Sequence, residues 1–290
     1  MTAGPAAGLG GRVAELTGTP VAGLRLAGSQ HRWDHYRIQF ADGRTAFAKA
    51  ARQDLAGLFE AEARGLAWLA EPGAVPVPEV LGWDDATLVV SWVPAEAAAP
   101  ESAERFGAGL AALHTAGAAG FGAPWNGFIA SLPLPNQQAG GWPAWYAGQR
   151  LLPYLRRAAD DRTLSGADVR LVETVMARID SLAGPAEPPS RIHGDCWSGN
   201  LLWSGGQGWL IDPAAHGGHR ETDLAMLALF GAPYLDQIMA GYAGRAPLAE
   251  GWQARVPLHQ LHPLLVHVCL FGAAYREPAL SAARAALAAG

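Results

Sequence analysis

A chain of 290 residues, half of them hydrophobic, can bury one large core or two modest ones. Its net charge of -5, with acids and bases interspersed, offers no electrostatic footprint for nucleic acid or an anionic membrane. No apolar run suggests a membrane span, the N-terminus lacks a secretory leader's basic and apolar regions, and two cysteines are too few for a disulfide framework; a cytoplasmic location is expected.

The first elements read as strands. A strand is expected around Val21 to Ala27, and "DHYRIQF", "ADGR" and "TAFAKA" read as strand, Asp-Gly turn and strand, with Tyr36, Ile38 and Phe40 alternating. The second of these carries Lys49, the single lysine among 21 Lys and Arg residues. A chain that uses arginine everywhere else has a compact ammonium here, which suits a point charge aimed at a defined spot. Next, "DLAGLFEAEARGLAWLAEP" reads as a helix with an apolar face of Leu55, Leu58, Phe59, Leu66 and Leu69. Glu62 falls within that face, where a carboxylate is costly unless paired, and Lys49 is the expected partner. A second hairpin, "EVLGWDDATLVVSWV", completes a five-stranded antiparallel sheet.

The Pro- and Ala-rich "WVPAEAAAPES" reads as a connection, dividing the chain into lobes 1–93 and 94–290. Beyond it Ser102 is expected to cap a helix carrying Phe106, Leu110 and Leu113. A loop-rich aromatic segment from Phe121 to Leu155 contains no Asp or Glu. Helix is expected from Gly166 to Leu182 and through most of the remainder, interrupted by short strands at "RIH", "NLLW" and "WLID".

Two chemistries compete for "HGDCWSGN" and the following "WLIDPAAHGGH". His193, Cys196, His216 and His219 have zinc-ligand types in an H-x2-C and H-x2-H arrangement. Alternatively, Asp195 and Asn200 stand as in the kinase H-x-D-x-x-x-x-N loop, and Asp212 ends a hydrophobic strand where a second metal ligand belongs. Phosphoryl transfer needs positioned charge, namely a carboxylate near the attacking hydroxyl, oxygen ligands for Mg2+ and a cation on the nucleotide phosphates. The zinc reading leaves Asp195, Asn200, Asp212 and Lys49 unexplained.

On the residues "HGDCWSGNLLW", "IDPAAHGGHRETDLAM", "LFEAEARGL" and "NGFIASLPLPNQQAGGWPAWYAGQRL", nearly the whole chain resembles the fructosamine kinase (ketosamine-3-kinase) family. That family lies within the aminoglycoside-phosphotransferase and choline-kinase branch of the protein-kinase-like fold. The resemblance implies an α+β bilobal architecture, with a small antiparallel-sheet lobe holding one helix and a larger, mainly helical lobe. It implies ATP and Mg2+ as cofactors, Asp195 as base, and Asn200 and Asp212 on the metal. Lys49 would hold the α/β-phosphates, Glu62 would orient it, and backbone groups of Ser91 and Val93 would meet the adenine. Gly28 and Ser29, with Gln30, stand where the phosphates would be covered, without the usual glycine series. The implied acceptor is a small-molecule or protein-linked ketosamine, whose phosphorylation at C3 puts a leaving group beside the C2 ketone and leads to release of the amine. Trp142, Trp145 and Trp197 are the candidates for its sugar face, with core packing the alternative for the first two. Two other readings of the same fold are a kinase of another acceptor, such as an aminoglycoside, choline or homoserine, and a non-catalytic nucleotide-binding protein.

Overall fold

The computed structural model describes residues 5–30, 32–53 and 56–289; Leu55, placed on the helix face above, lies outside them. The first element is a helix that the sequence reading did not anticipate, α1 (Pro5–Thr17), which contains three glycines and so has weak intrinsic propensity. It survives because Leu9, Val13 and Leu16 pack against Ile38, Phe40, Ala46, Ala48 and Val89.

The expected sheet follows. Strands β1 (Val21–Ser29), β2 (Trp33–Phe40), β3 (Thr45–Ala51), β4 (Val80–Trp83) and β5 (Thr87–Ser91) form one antiparallel sheet in the order β1-β2-β3-β5-β4. Alternation along β3 explains its two faces: Ala46 and Ala48 meet α1, while Phe47 joins Leu88 and Val90 on the opposite face. Lys49 shares the parity of Phe47, and α2 (Leu58–Ala70) covers that face with Leu58, Phe59 and Leu66. The period-2 strand and the helical face therefore bring Lys49 and Glu62 together, although both belong to otherwise apolar patterns.

The remainder is mainly helical. Helix α3 (Pro100–Thr115) begins two residues before the expected cap. Ser102 sits in its first turn and reaches back, accepting from the Ala99 amide at 3.0 Å and donating to the Ala99 carbonyl at 2.7 Å. Phe106, Leu110 and Leu113 are buried as expected. The acid-free segment forms β6 (Gly127–Ile129), β7 (Leu132–Leu134), the short α4 (Trp142–Trp145) and a π-helical turn (Tyr146–Leu151) leading into α5 (Leu152–Asp160). Then come α6 (Gly166–Ala177), α7 (Ile179–Leu182), β8 (Ser190–Ile192), β9 (Leu201–Ser204), β10 (Gln207–Leu210) and β11 (His216–Gly218). Helices α8 (Glu221–Phe230), α9 (Leu235–Arg245), α10 (Trp252–Phe271) and α11 (Arg276–Ala289) complete the chain.

Contrary to the sequence expectation, Trp252–Ala289 reaches the length and apolarity of a membrane helix, with a mean hydropathy of 1.2 over its most apolar window. That apolarity is used inside the fold: Leu258, Leu261, Leu264, Leu265 and Val268 are buried in the same core as Leu151, Leu155 and Val172.

Candidate active site

The cleft between the sheet and the helical part has a volume of about 700 Å³, and Lys49, Glu62, Asp195, Trp197, Asn200 and Asp212 all line it. On the sheet side the Lys49 ammonium donates to both Glu62 oxygens at 2.7 and 2.9 Å, and sits 2.8 Å from Asp212 Oδ1. Burial opposes the charge of Lys49, but the carboxylates of Asp212 and Glu62 outweigh it and raise its pKa. Burial likewise lifts Glu62, to about 7, against the pull of Lys49 and with Asp212 adding to the rise. Burial is thus the main reason that Glu62 holds its proton more readily than an exposed glutamate, and the second carboxylate sharing the one cation adds to it.

Opposite this triad, the Asn200 amide donates to the Asp195 carbonyl at 2.9 Å and to Asp195 Oδ2 at 2.7 Å. Burial pushes the Asp195 carboxyl up to about 7; the Asn200 hydrogen bond opposes this, and the charges of Asp212 and Asp223 reinforce it. Asp212 has a left-handed backbone with φ 53°, uncommon for a residue other than glycine and a form of strain found where a side chain must be aimed.

The loop carrying Asp195 is anchored from below by residues that sequence reasoning assigned no role. Asp223, fully buried at the start of α8, accepts from the His193 amide at 2.7 Å and the Gly194 amide at 2.9 Å. His114 Nε2 lies 3.1 Å from the same carboxylate, and its Nδ1 meets the Tyr242 hydroxyl at 2.8 Å. Burial works against the charge of Asp223, but the His114 contact, with the charges of His114 and His193 and the loop amide, keeps its pKa below the ordinary carboxylate value. His193 itself is structural: its Nε2 donates to the Ile211 carbonyl at 2.8 Å, and its Nδ1 accepts from the Asp195 amide at 3.3 Å. Gly194 has φ 80°, and a Cβ there would strike the Ala214 carbonyl. Gly194→Ala should therefore cost roughly 2–4 kcal/mol, the sum of left-handed strain and a backbone clash, readable as a lowered urea midpoint.

The zinc set does not assemble. Cys196 is buried in an apolar cluster, where burial pushes its thiol pKa well up, and His193 and His216 are committed to the carbonyls of Ile211 and Ala214. The His/Cys/Asp/Glu group close enough to hold a metal, among the described residues, is a different one, His219, Glu221 and His259. Its Glu221 is already gripped by Arg255 at 2.6 and 2.9 Å.

Of the three tryptophans, one faces the cleft. Trp197 is 37 % exposed and folds over Gly199, where a Cβ would collide with its ring. Trp142 and Trp145 belong instead to the large helical core, at 5 % and 3 % exposure. Trp142 stacks on Tyr146 with centroids 4.6 Å apart, and the Trp145 indole donates to the Gln137 carbonyl at 3.0 Å. Of the two alternatives for this pair, a sugar face and core packing, the structure shows core packing, with Trp142 also against His219 and His259 and Trp145 against Phe121 and His216. Trp142→Phe should cost on the order of 2 kcal/mol of stability through the void it leaves, with acceptor KM unchanged. Trp197→Ala should do the reverse, raising acceptor KM and leaving the melting temperature near that of the wild type.

The expected phosphate cover is also displaced. Gly28 and Ser29 pair with β2 and do not line the cleft, and the Ser29 hydroxyl donates to Asp34 at 2.6 Å. Gln30 and Arg32, in the turn that follows, do line it. Ser91 and Val93 lie outside the cleft's lining, and the Ser91 amide is taken by the Glu79 carbonyl at 2.8 Å.

Comparison with known proteins agrees with this architecture. Residues 26–289 match the family model described as fructosamine kinase. A Thermus thermophilus protein with the provisional name ketoamine kinase is 35% identical over 264 residues, covering 88% of this chain and 95% of its own. The crystal structure of a Thermobifida fusca protein provisionally named fructosamine-3-kinase superposes with a TM-score of 0.94 at 59% identity, over 97% of this chain and 98% of that one. At 18% identity, a macrolide 2'-phosphotransferase from Brachybacterium faecium shares the fold, with a TM-score of 0.64 over 96% and 97% of the two chains. With a family model spanning nearly its whole length and these relatives beside it, the chain belongs to the fructosamine kinase family.

Proposed function

We propose that this protein transfers the γ-phosphoryl group of ATP to the C3 hydroxyl of a ketosamine. The observation that carries the proposal is the facing pair of clusters in one cleft: Lys49 held between Glu62 and Asp212, and Asp195 held by Asn200. Family membership supplies the acceptor class.

The residues present fit a hard divalent cation. The Asn200 NH2 is committed to Asp195, which leaves its side-chain oxygen as the ligand atom, and Asp212 adds a carboxylate aimed by its unusual backbone. Asn200 and Asp212 would thus hold Mg2+, which when bound neutralises charge on the transferring phosphates. In this arrangement Lys49 binds the α/β-phosphates, and Glu62 would keep the ammonium in place with Asp212 engaged on the cation. Gln30 and Arg32, which line the cleft beside Lys49, cover the phosphates. Asp195 accepts the proton of the attacking hydroxyl, and the indole of Trp197 lies against the sugar's C–H surface. The acids lining the cleft, among the described residues, are Glu62, Asp195 and Asp212, and Lys49 compensates two of them. That is a poor site for a polycationic aminoglycoside and an adequate one for a neutral sugar bearing a single amine.

A panel assay tests the acceptor class. With Mg-ATP fixed, ADP release should be stimulated by fructosyl- and ribulosyl-lysine and not by an aminoglycoside, choline or homoserine. Stimulation by one of the latter alone would reassign the substrate.

A further inference from the structure

Next to Trp197 is a run of rings that none of the roles above uses, and its His267 and Phe271 line the cleft. Trp197 meets Phe230 edge-on at 5.8 Å, Phe230 meets His267 at 5.0 Å, and His267 meets Phe271 and Tyr275 at 5.3 and 4.7 Å. Phe271 is 60 % exposed. A strip of rings adjoining a cleft with a charged centre, with the Phe271 ring in water, is placed to meet a ligand. His267 stands at its centre: it lines the main cleft, and it shares with Asp195 the wall of a small cavity of about 20 Å³.

The hydrogen bonding of His267 determines what it can offer. Its Nδ1 lies 2.7 Å from the Pro263 carbonyl one turn earlier on α10. A carbonyl brings no proton, so Nδ1 carries it, and in the neutral ring Nε2 is then a lone-pair acceptor. Burial, partly opposed by the Pro263 hydrogen bond, lowers the pKa of the ring and keeps it neutral. A ketosamine differs from a plain ketose by a protonated secondary amine at C1, two carbons from the C3 hydroxyl that Asp195 would deprotonate. That ammonium needs an acceptor and a π-face rather than a full negative charge, since Asp195 and Asp212 already surround the reacting end.

Resting on the acceptor reading above, we infer that His267 is the residue that recognises the substrate's amine. Nε2 accepts a hydrogen bond from the ammonium, the neighbouring rings stabilise its charge, and the carbon substituent on nitrogen leaves along Phe271 and Tyr275. The aromatic strip thereby accounts for selection of a ketosamine over a ketose of the same shape.

The test compares fructosyl-propylamine with its oxygen isostere, 1-O-propyl-fructose, as acceptors. The wild type should prefer the amine by about tenfold or more in kcat/KM, the scale of a charge-assisted hydrogen bond. His267→Phe keeps a ring and removes the lone pair, so it should abolish the preference, mainly through KM for the amine. His267→Gln returns an oxygen near the position of Nε2 and should restore it in part. An unchanged preference in His267→Phe overturns the inference, as does a wild type with no preference, a result that does not depend on the variant folding. If the wild type phosphorylates neither compound, the ketosamine reading itself has failed, which is a different pattern from loss of discrimination alone.

Discussion

Asp195→Asn should lower kcat by roughly 10²- to 10⁴-fold, the range expected when a positioned general base is lost. The substitution is nearly isosteric, and Lys49, Glu62 and Asp212 are untouched, so nucleotide binding should hold and the loss should fall on the chemical step. Steady-state kinetics with ATP and acceptor varied in turn separates the two. A variant that keeps more than a third of wild-type kcat would show that the proton goes elsewhere. The sign of the pH dependence follows from the same residue. In the metal-free protein, burial holds the Asp195 carboxyl at about 7, well above an exposed aspartate. It therefore takes up a proton as pH falls through that value, and only the ionised form can act as base. A carboxyl-carbon NMR titration of the metal-free protein, assigned with Asp195→Asn, should show this raised midpoint, and activity should decline as falling pH protonates the base.

Asp223→Ala should cost about 4 kcal/mol or more of folding stability and most of the activity, although Asp223 is not among the residues lining the main cleft. Its carboxylate satisfies the His193 and Gly194 amides and His114 in a fully buried setting. Removing it leaves several buried donors unpaired, each costing about 1–3 kcal/mol. For a chain of this size that corresponds to a melting temperature about 7 °C lower, measurable by calorimetry. Because the pKa of Asp223 is depressed, the stability it contributes is complete above the ordinary carboxylate value and is lost only as pH falls through its lowered pKa. The wild type should therefore show an acid-unfolding component that Asp223→Ala lacks. A variant melting within a degree of the wild type would contradict the anchoring role.

Sequence patterns revealed the charged centre more completely than its surroundings. Lys49 stood out as the single lysine of an arginine-rich chain, and Glu62 because it interrupts an apolar helix face, which names both the residue and its need for a partner. Asp195, Asn200 and Asp212 were legible through local spacing on a strand-loop-strand frame. The buried chain from Asp223 through His114 to Tyr242 was not, because its members lie 109 and 128 positions apart and look like ordinary helix residues until α3 and α9 are packed. Helix α1 escaped notice because its glycines mask a short apolar stripe. Trp142 and Trp145 illustrate a different limit: an aromatic-rich, acid-free segment has the same composition whether its rings face a sugar or a core, and only the packing against distant residues such as His216, His219 and His259 decides. His267 gave no signal for a related reason. A histidine in an apolar helix usually packs, as His259 and His262 of α10 do, and what distinguishes this one is the ring strip gathered from α8, α10 and the turn before α11.

The most direct test is where the phosphate goes. Purified protein is incubated with Mg-ATP and fructosyl-lysine, and the products are followed by proton–phosphorus correlation NMR. The predicted result is a new phosphate ester coupled to the sugar's H3, followed by its decay to inorganic phosphate with release of free lysine. ATP consumed with no ester formed, or an ester coupled to any other sugar position, would contradict the proposed activity.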